Sequence, residues 1–185
     1  MKIAAATGLS FVVIILGALV FIYSGLYDIS ATTPHFAVTH RMLRTVMEQS
    51  VKRQARDIKV PELDDPEKVH TGFNYFHAMC VTCHGGPGTP PSEIGKGLYP
   101  EAPDLARAAK GWTPAELFVI IKRGIKMSGM PAWEPTHSGE ELWSLVAFVK
   151  VLPAMPETEY LEAVEYYATQ RAGKNEETEA SHHHQ

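Results

Sequence analysis

Cysteine is scarce in this sequence: only Cys80 and Cys83 occur in 185 residues. A pair spaced so closely would close only a tiny loop as a disulfide, so a disulfide framework is excluded as the source of the fold. A structural zinc site takes about four ligands, with a second Cys pair or spaced histidines, and neither is present. Strand-like alternation is lacking as well. With it goes the strand–helix–strand setting of a thioredoxin-like Cys-x-x-Cys pair. No internal repeat is visible, and a net charge of −4 is too small to mark a nucleic-acid binder.

Charge is absent from one long stretch, Ile3 to Tyr27. A helix crosses a bilayer with about 20 apolar residues, whereas the apolar part of a signal peptide has about 7–15 and ends at small residues. This run is longer and ends in the bulky Phe21-Ile22-Tyr23; the nearest small pair, Ile29 and Ala31, is a poor match. Residues 1–27 therefore read as an uncleaved membrane anchor, with a cleaved signal peptide as the alternative. Tyr23 and Tyr27 suit a membrane interface.

Residues 28–64 read as a basic amphipathic linker. Thr33 before Pro34 resembles an N-cap and first helical position. Leu43, Val46, Met47, Val51, Ala55 and Ile58 then recur at helical steps, with Lys52, Arg53 and Arg56 largely elsewhere, although the stripe is narrow and Arg44 intrudes on it. A helix over 34–58 would span about 37 Å at ~1.5 Å per residue. Such a helix suits an anionic lipid surface or a partner subunit; the alternative is a solvated connector. Pro61 and Pro66 break the pattern, and Asp65 can cap a new helix that runs into the cysteines.

Residues 65–155 form the expected principal domain. Gly85 to Lys110 is a loop rich in Gly and Pro, and loops beyond about 12–15 residues commonly serve a site. Thr113-Pro114 with Glu116, and Ser138 with Glu141, are capping boxes that open two further helices. Pro153 and Pro156 end the second. Residues 156–185 read as a short acidic helix to about Ala168 and a disordered tail. His182, His183 and His184, native or a tag remnant, receive no function.

Short helices separated by large loops leave little core, and a domain of this kind needs an added staple. The stretch MCVTCHGG supplies one. Cys-x-x-Cys-His is the attachment signature of c-type haem. Thioether bonds from Cys80 and Cys83 fasten one edge of the porphyrin, and His84 then lies under the iron. The buried apolar disc replaces a protein core. For the second axial ligand the SGMPAW stretch favours Met130, with Pro131 stiffening the loop after it and Gly129 permitting a tight backbone before it. Met127, His137 and Met155 are the alternatives. Met/His ligation suits electron transfer.

With CVTCH (Cys80, Cys83, His84), APDL (Ala102 to Leu105) and MPAW (Met130 to Trp133) in this order before an aromatic-rich helix, the chain resembles class I mono-haem cytochromes c. It is especially similar to the single-haem domains in c-type subunits of bacterial haem–copper oxidases. The resemblance implies an all-α fold with crossing N- and C-terminal helices, Gly72 and Phe76 at the crossing, and Trp143 and Phe148 opposite. It implies that Pro103 offers its carbonyl to the His84 ring, with Pro87 as the fallback. It also implies that Leu105 packs on the haem and that Trp133 reaches a propionate.

The layout also resembles one-haem, one-anchor subunits of respiratory complexes such as the small subunit of bacterial nitric oxide reductase. The expected function is a membrane-anchored electron carrier rather than an enzyme. It would hold one covalent haem c with His84 and Met130 on the iron, the haem domain lying on the periplasmic side of the bacterial inner membrane. Expected partners are membrane lipid and a redox protein or respiratory complex subunits, with no nucleic acid and no small-molecule substrate. Lys96, Lys122, Arg123 and Lys126 are candidates for a basic docking ring. The alternatives are a tethered shuttle between complexes and, in another class, a haem enzyme or gas sensor with an open axial position.

Overall fold

The computed structural model describes residues 2–182, and the described residues contain helices and no strand. The chain divides into two compact units, one up to His35 and one from Phe36 onward. The first unit holds α1, Lys2–Tyr23, whose segment Ala6–Tyr23 is long and apolar enough to cross a membrane. This is consistent with a single-pass anchor. Beyond it, Asp28 accepts from Ser30 N–H (2.8 Å) and from the Thr33 hydroxyl (2.6 Å). Thr33 is thus spent on a turn and does not cap the next helix.

The second unit begins with α2, Ala37–Ala55, preceded by Phe36 with no side-chain cap. It is shorter than the 34–58 expected from periodicity, at 19 residues or about 28 Å. The expected apolar stripe divides in two. Val51 and Ala55 are buried against Ala115 and Val119, with Met47 and Ile58 beside them, while Leu43 and Val46 are exposed. Arg123 donates to Gln54 Oε1 at 2.6 Å, which fastens the same end. The C-terminal half of the linker helix is therefore part of the principal unit, because α7, Pro114–Arg123, offers its apolar face to it.

Asp65 caps α3, Pro66–Tyr75, accepting from Glu67 N–H, with Pro66 where a missing N–H costs nothing. The helix then widens into a π turn, Phe76–Cys80, in which Val81 N–H reaches Phe76 O, and continues as α4, Val81–His84. Such turns are rare and often mark functional sites. The long Gly/Pro segment that follows is less irregular than expected. It contains the single turns α5, Glu93–Lys96, and α6, Leu105–Ala108, each capped by its preceding Ser92 or Asp104. Gly95 lets α5 sit close to the cysteines, since a Cβ there would stand 2.9 Å from Cys83 Cα.

Both capping boxes form, at Thr113/Glu116 for α7 and at Ser138/Glu141 for α8, Gly139–Val151. α3 crosses α8 at Gly72, where a Cβ would overlap Ser144 O. Phe148 packs against Phe73 and Phe76 at ring separations of 5.5 and 5.1 Å, while Trp143 turns toward α7 and stacks on Phe118 at 4.1 Å. The core is completed by Leu142, Leu145, Val146 and Leu152.

α9 runs Glu157–His182, well past Ala168. Its sequence is rich in Glu and Ala, which favour helix, and the expected disordered tail is helical as far as His182. His183 and His184 lie outside the described residues.

Candidate functional site

The turn Cys80–His84 stands at the end of the α3–α4 rod, held by the α8 crossing beneath it. Cys80 and Cys83 are free thiols, partly buried, one helical turn apart. Burial pushes the Cys80 thiol up to about 12, with repulsion from Cys83 adding to it. It is therefore neutral at physiological pH. Gly85 ends the turn at φ +64°, and a Cβ there would stand 2.5 Å from Thr89 O, so the chain leaves His84 through a backbone geometry suited to glycine.

His84 Nδ1 lies 2.8 Å from the carbonyl oxygen of Pro103. A carbonyl only accepts, so Nδ1 carries the proton and Nε2 keeps its lone pair. Burial lowers the His84 pKa, and the bond to Pro103 partly opposes this. The long loop thus brings Pro103 back to the imidazole, and Pro87 is not needed. A cleft of about 540 Å³ opens beside His84, bordered by Pro91, Ala102, Pro103 and Arg107. Neither cysteine nor Met130 borders it, so it lies to one side of the expected ligand pair.

Cys80, Leu105, Met130 and Trp133 pack against the same apolar cluster around Phe76 and Phe148. Met130 is half-buried, and its loop is fixed at both ends. Met130 N–H donates to Ser128 Oγ at 3.2 Å, and Met130 O accepts from Ile125 N–H at 3.2 Å. Met127 is 76% exposed, and His137 is engaged with Thr136 at 2.9 Å and flanked by Tyr75 and Trp133.

The glycine that shapes this loop is not the one expected. Gly129 does not adopt a positive φ, and its lack of a side chain admits Leu98. Gly124 has φ +64°, and a Cβ there would stand 2.7 Å from Met130 O and 2.6 Å from Pro131 C. In the sequence Gly124 reads as an ordinary end of α7.

Tyr75 donates to Glu141 Oε1 across the α3–α8 pair. That bond, with those from Ser138, lowers the Glu141 pKa to about 2. The expected basic ring is partly consumed. Lys122 pairs with Glu134 at 3.0 Å and Arg123 with Gln54, while Lys96 and Lys126 are exposed.

Among the described residues no group of three His, Cys, Asp or Glu side chains forms a metal cage. The donor set is instead two thiols and one imidazole with a fixed tautomer on a single turn, while the half-buried Met130 packs on the same apolar cluster as Cys80. These residues fit a haem that is bound covalently and ligated axially. An all-helical domain presenting that turn is a c-type cytochrome domain. Residues 67–149 match the family model described as "Cytochrome C oxidase, cbb3-type, subunit III", so the domain is a c-type cytochrome domain of that type. Membership implies covalently bound haem c and a part in electron transfer. No curated protein matches the sequence.

Proposed function

We propose that this chain carries single electrons through one haem, attached at Cys80 and Cys83 and ligated by His84 and Met130, as a membrane-anchored subunit of a respiratory complex or its immediate donor. The bond between His84 Nδ1 and the Pro103 carbonyl carries the proposal. It fixes the ring, directs Nε2 to a metal and raises the basicity of the ligand. When bound, the haem supplies an iron that takes up and releases one electron at a time. Leu105 and Trp133 serve as packing and propionate contacts. The hydrogen bonds of the Met130 loop to Ser128 and Ile125 hold the thioether so that little rearranges between oxidation states.

In this reading residues 1–27 anchor the chain and the haem domain lies on the periplasmic side of the inner membrane, because haem attachment takes place outside the cytoplasm; the apolar length of Ala6–Tyr23 supports the anchor. Packing of α2 on α7 supports a fixed subunit over a swinging shuttle. The segment between helices α1 and α2 is only residues 24–36, a reach of at most about 45 Å fully extended, and its Asp28–Thr33 turn shortens it further.

Met130→Ala tests the ligand set. The far-red absorption band of methionine on ferric haem should vanish and the reduction potential should fall. An unchanged spectrum would transfer the role to another residue. Purification in mild detergent tests the partner: co-migrating respiratory subunits are expected, and recovery as a lone haem protein counts against the subunit role.

A further inference from the structure

The fold leaves one face of α2 uncovered. Val38, Met42 and Val46 stand four residues apart and are 65, 63 and 66% exposed, whereas Val51 and Ala55 of the same helix are buried. Met42 and Val51 are nine residues apart, as are Val46 and Ala55. At 3.6 residues per turn each pair lies on opposite sides of the helix. Packing on α7 therefore takes one side of α2 and turns an apolar row on the other side to solvent. Apolar side chains grouped on a surface and rimmed by charge mark an interaction site.

The rim of this row is basic. Arg53 lies eleven residues, about three turns, beyond Met42 and continues the row. Arg41 and Lys52 are also eleven apart and line one edge of it. All three are exposed, and none has a carboxylate partner among the described residues, while Arg44 pairs with Glu48 at 2.9 Å. Residues 37–59 hold six Lys and Arg against two acids, a net charge of +4 in a chain of −4. A second copy of the chain would set this charge against itself. Three side chains also fall short of the roughly 20–30 residues a side of a stable protein interface. An anionic surface fits the charge, and the chain brings α2 to one. Only residues 24–36 separate it from α1, which is long and apolar enough to cross a membrane. So short a tether keeps α2 at high effective concentration over the bilayer.

We propose that the first half of α2, residues 37–50, lies in the headgroup layer of a bilayer that contains anionic phospholipid. Val38, Met42 and Val46 face the acyl chains, and Arg41, Lys52 and Arg53 reach the phosphates. Such a helix is held by its apolar row and by charge together, the basic side chains laying their stems along the apolar surface. Through the contact of α2 with α7, the cysteine-bearing domain is then held at the bilayer by more than its tether. The proposal rests on residues 1–27 being the membrane anchor and is independent of the haem ligands.

The test uses the full-length, haem-loaded chain with a nitroxide at Met42→Cys or, separately, at Val46→Cys. Haem occupies Cys80 and Cys83 in that protein, so the label is unique. The chain is reconstituted into phosphatidylcholine vesicles with and without phosphatidylglycerol, and the depth of the label is read from its collisions with oxygen and with a water-soluble nickel chelate. In anionic vesicles both labels should meet oxygen more often than nickel. Omitting phosphatidylglycerol, or combining Arg41→Gln, Lys52→Gln and Arg53→Gln, should move both labels toward water. Labels open to nickel in anionic vesicles overturn the proposal and leave the face to another subunit. Labels shielded from both reagents overturn it in favour of a second copy. Equal depth with and without phosphatidylglycerol overturns it as well. Release of the wild-type chain from vesicles by alkaline carbonate would instead overturn the underlying anchor.

Discussion

Gly72→Ala is the most severe small change available in this fold. In an unpacked helix the substitution would stabilise by about 0.5–1 kcal/mol, since glycine loses more backbone entropy than alanine. Here the new Cβ would overlap Ser144 O and stand 2.6 Å from Ser144 C and 2.9 Å from Phe148 Cβ. Two of these three atoms are backbone, which no rotamer change can move. Relief requires α3 and α8 to part by roughly 1 Å in an interior packed at crystal density. Overpacking of this kind costs about 1–3 kcal/mol, and the separation also loosens Phe73 and Phe76 against Phe148. The net expectation is a loss of about 2 kcal/mol, or a thermal midpoint lower by about 4–8 °C for a domain of this size. Gly139→Ala is the control, because a Cβ there meets nothing within 4 Å. Thermal unfolding followed by circular dichroism should show a clear drop for Gly72→Ala and little change or a gain for Gly139→Ala. A Gly72→Ala protein as stable as wild type would refute the close crossing.

Glu141 makes stability depend on acid. Its folded pKa lies near 2 against an ordinary value of 4.5, held there chiefly by the Tyr75 hydroxyl. A lowered carboxylate contributes stability that is full above pH 4.5 and is lost as the pH falls toward about 2. Melting temperature plotted against pH should therefore fall less steeply in that window for Glu141→Gln, and identical slopes would contradict the assignment. Gly124→Ala should destabilise the Met130 loop, because its φ of +64° and the nearby Met130 O both oppose a side chain. The expected readout is a weakened far-red band at equal haem content, and a wild-type band would count against it.

Much of this arrangement was legible because its determinants are local. The Asp65-Pro66, Thr113/Glu116 and Ser138/Glu141 signals lie within four residues of the helix starts they set, and each start is found there. The Cys80–His84 spacing is local as well. Features that depend on distant partners were not legible. Which half of α2 would be covered depended on the apolar face of α7, and periodicity cannot name a partner. The π turn at Phe76–Cys80 is a change of hydrogen-bond register with no residue type of its own. Gly124 looked like a helix terminator until Met130 and Pro131 came to lie against it. Tyr160 was one residue of an acidic helix until Gly86 made room for it.

The intact mass of the purified chain, produced in a host competent to attach c-type haem, bears most directly on what Cys80, Cys83 and His84 do. One added haem that survives denaturation and extraction is the predicted result, with attachment reduced when either cysteine becomes alanine. A mature chain at its bare polypeptide mass would contradict it.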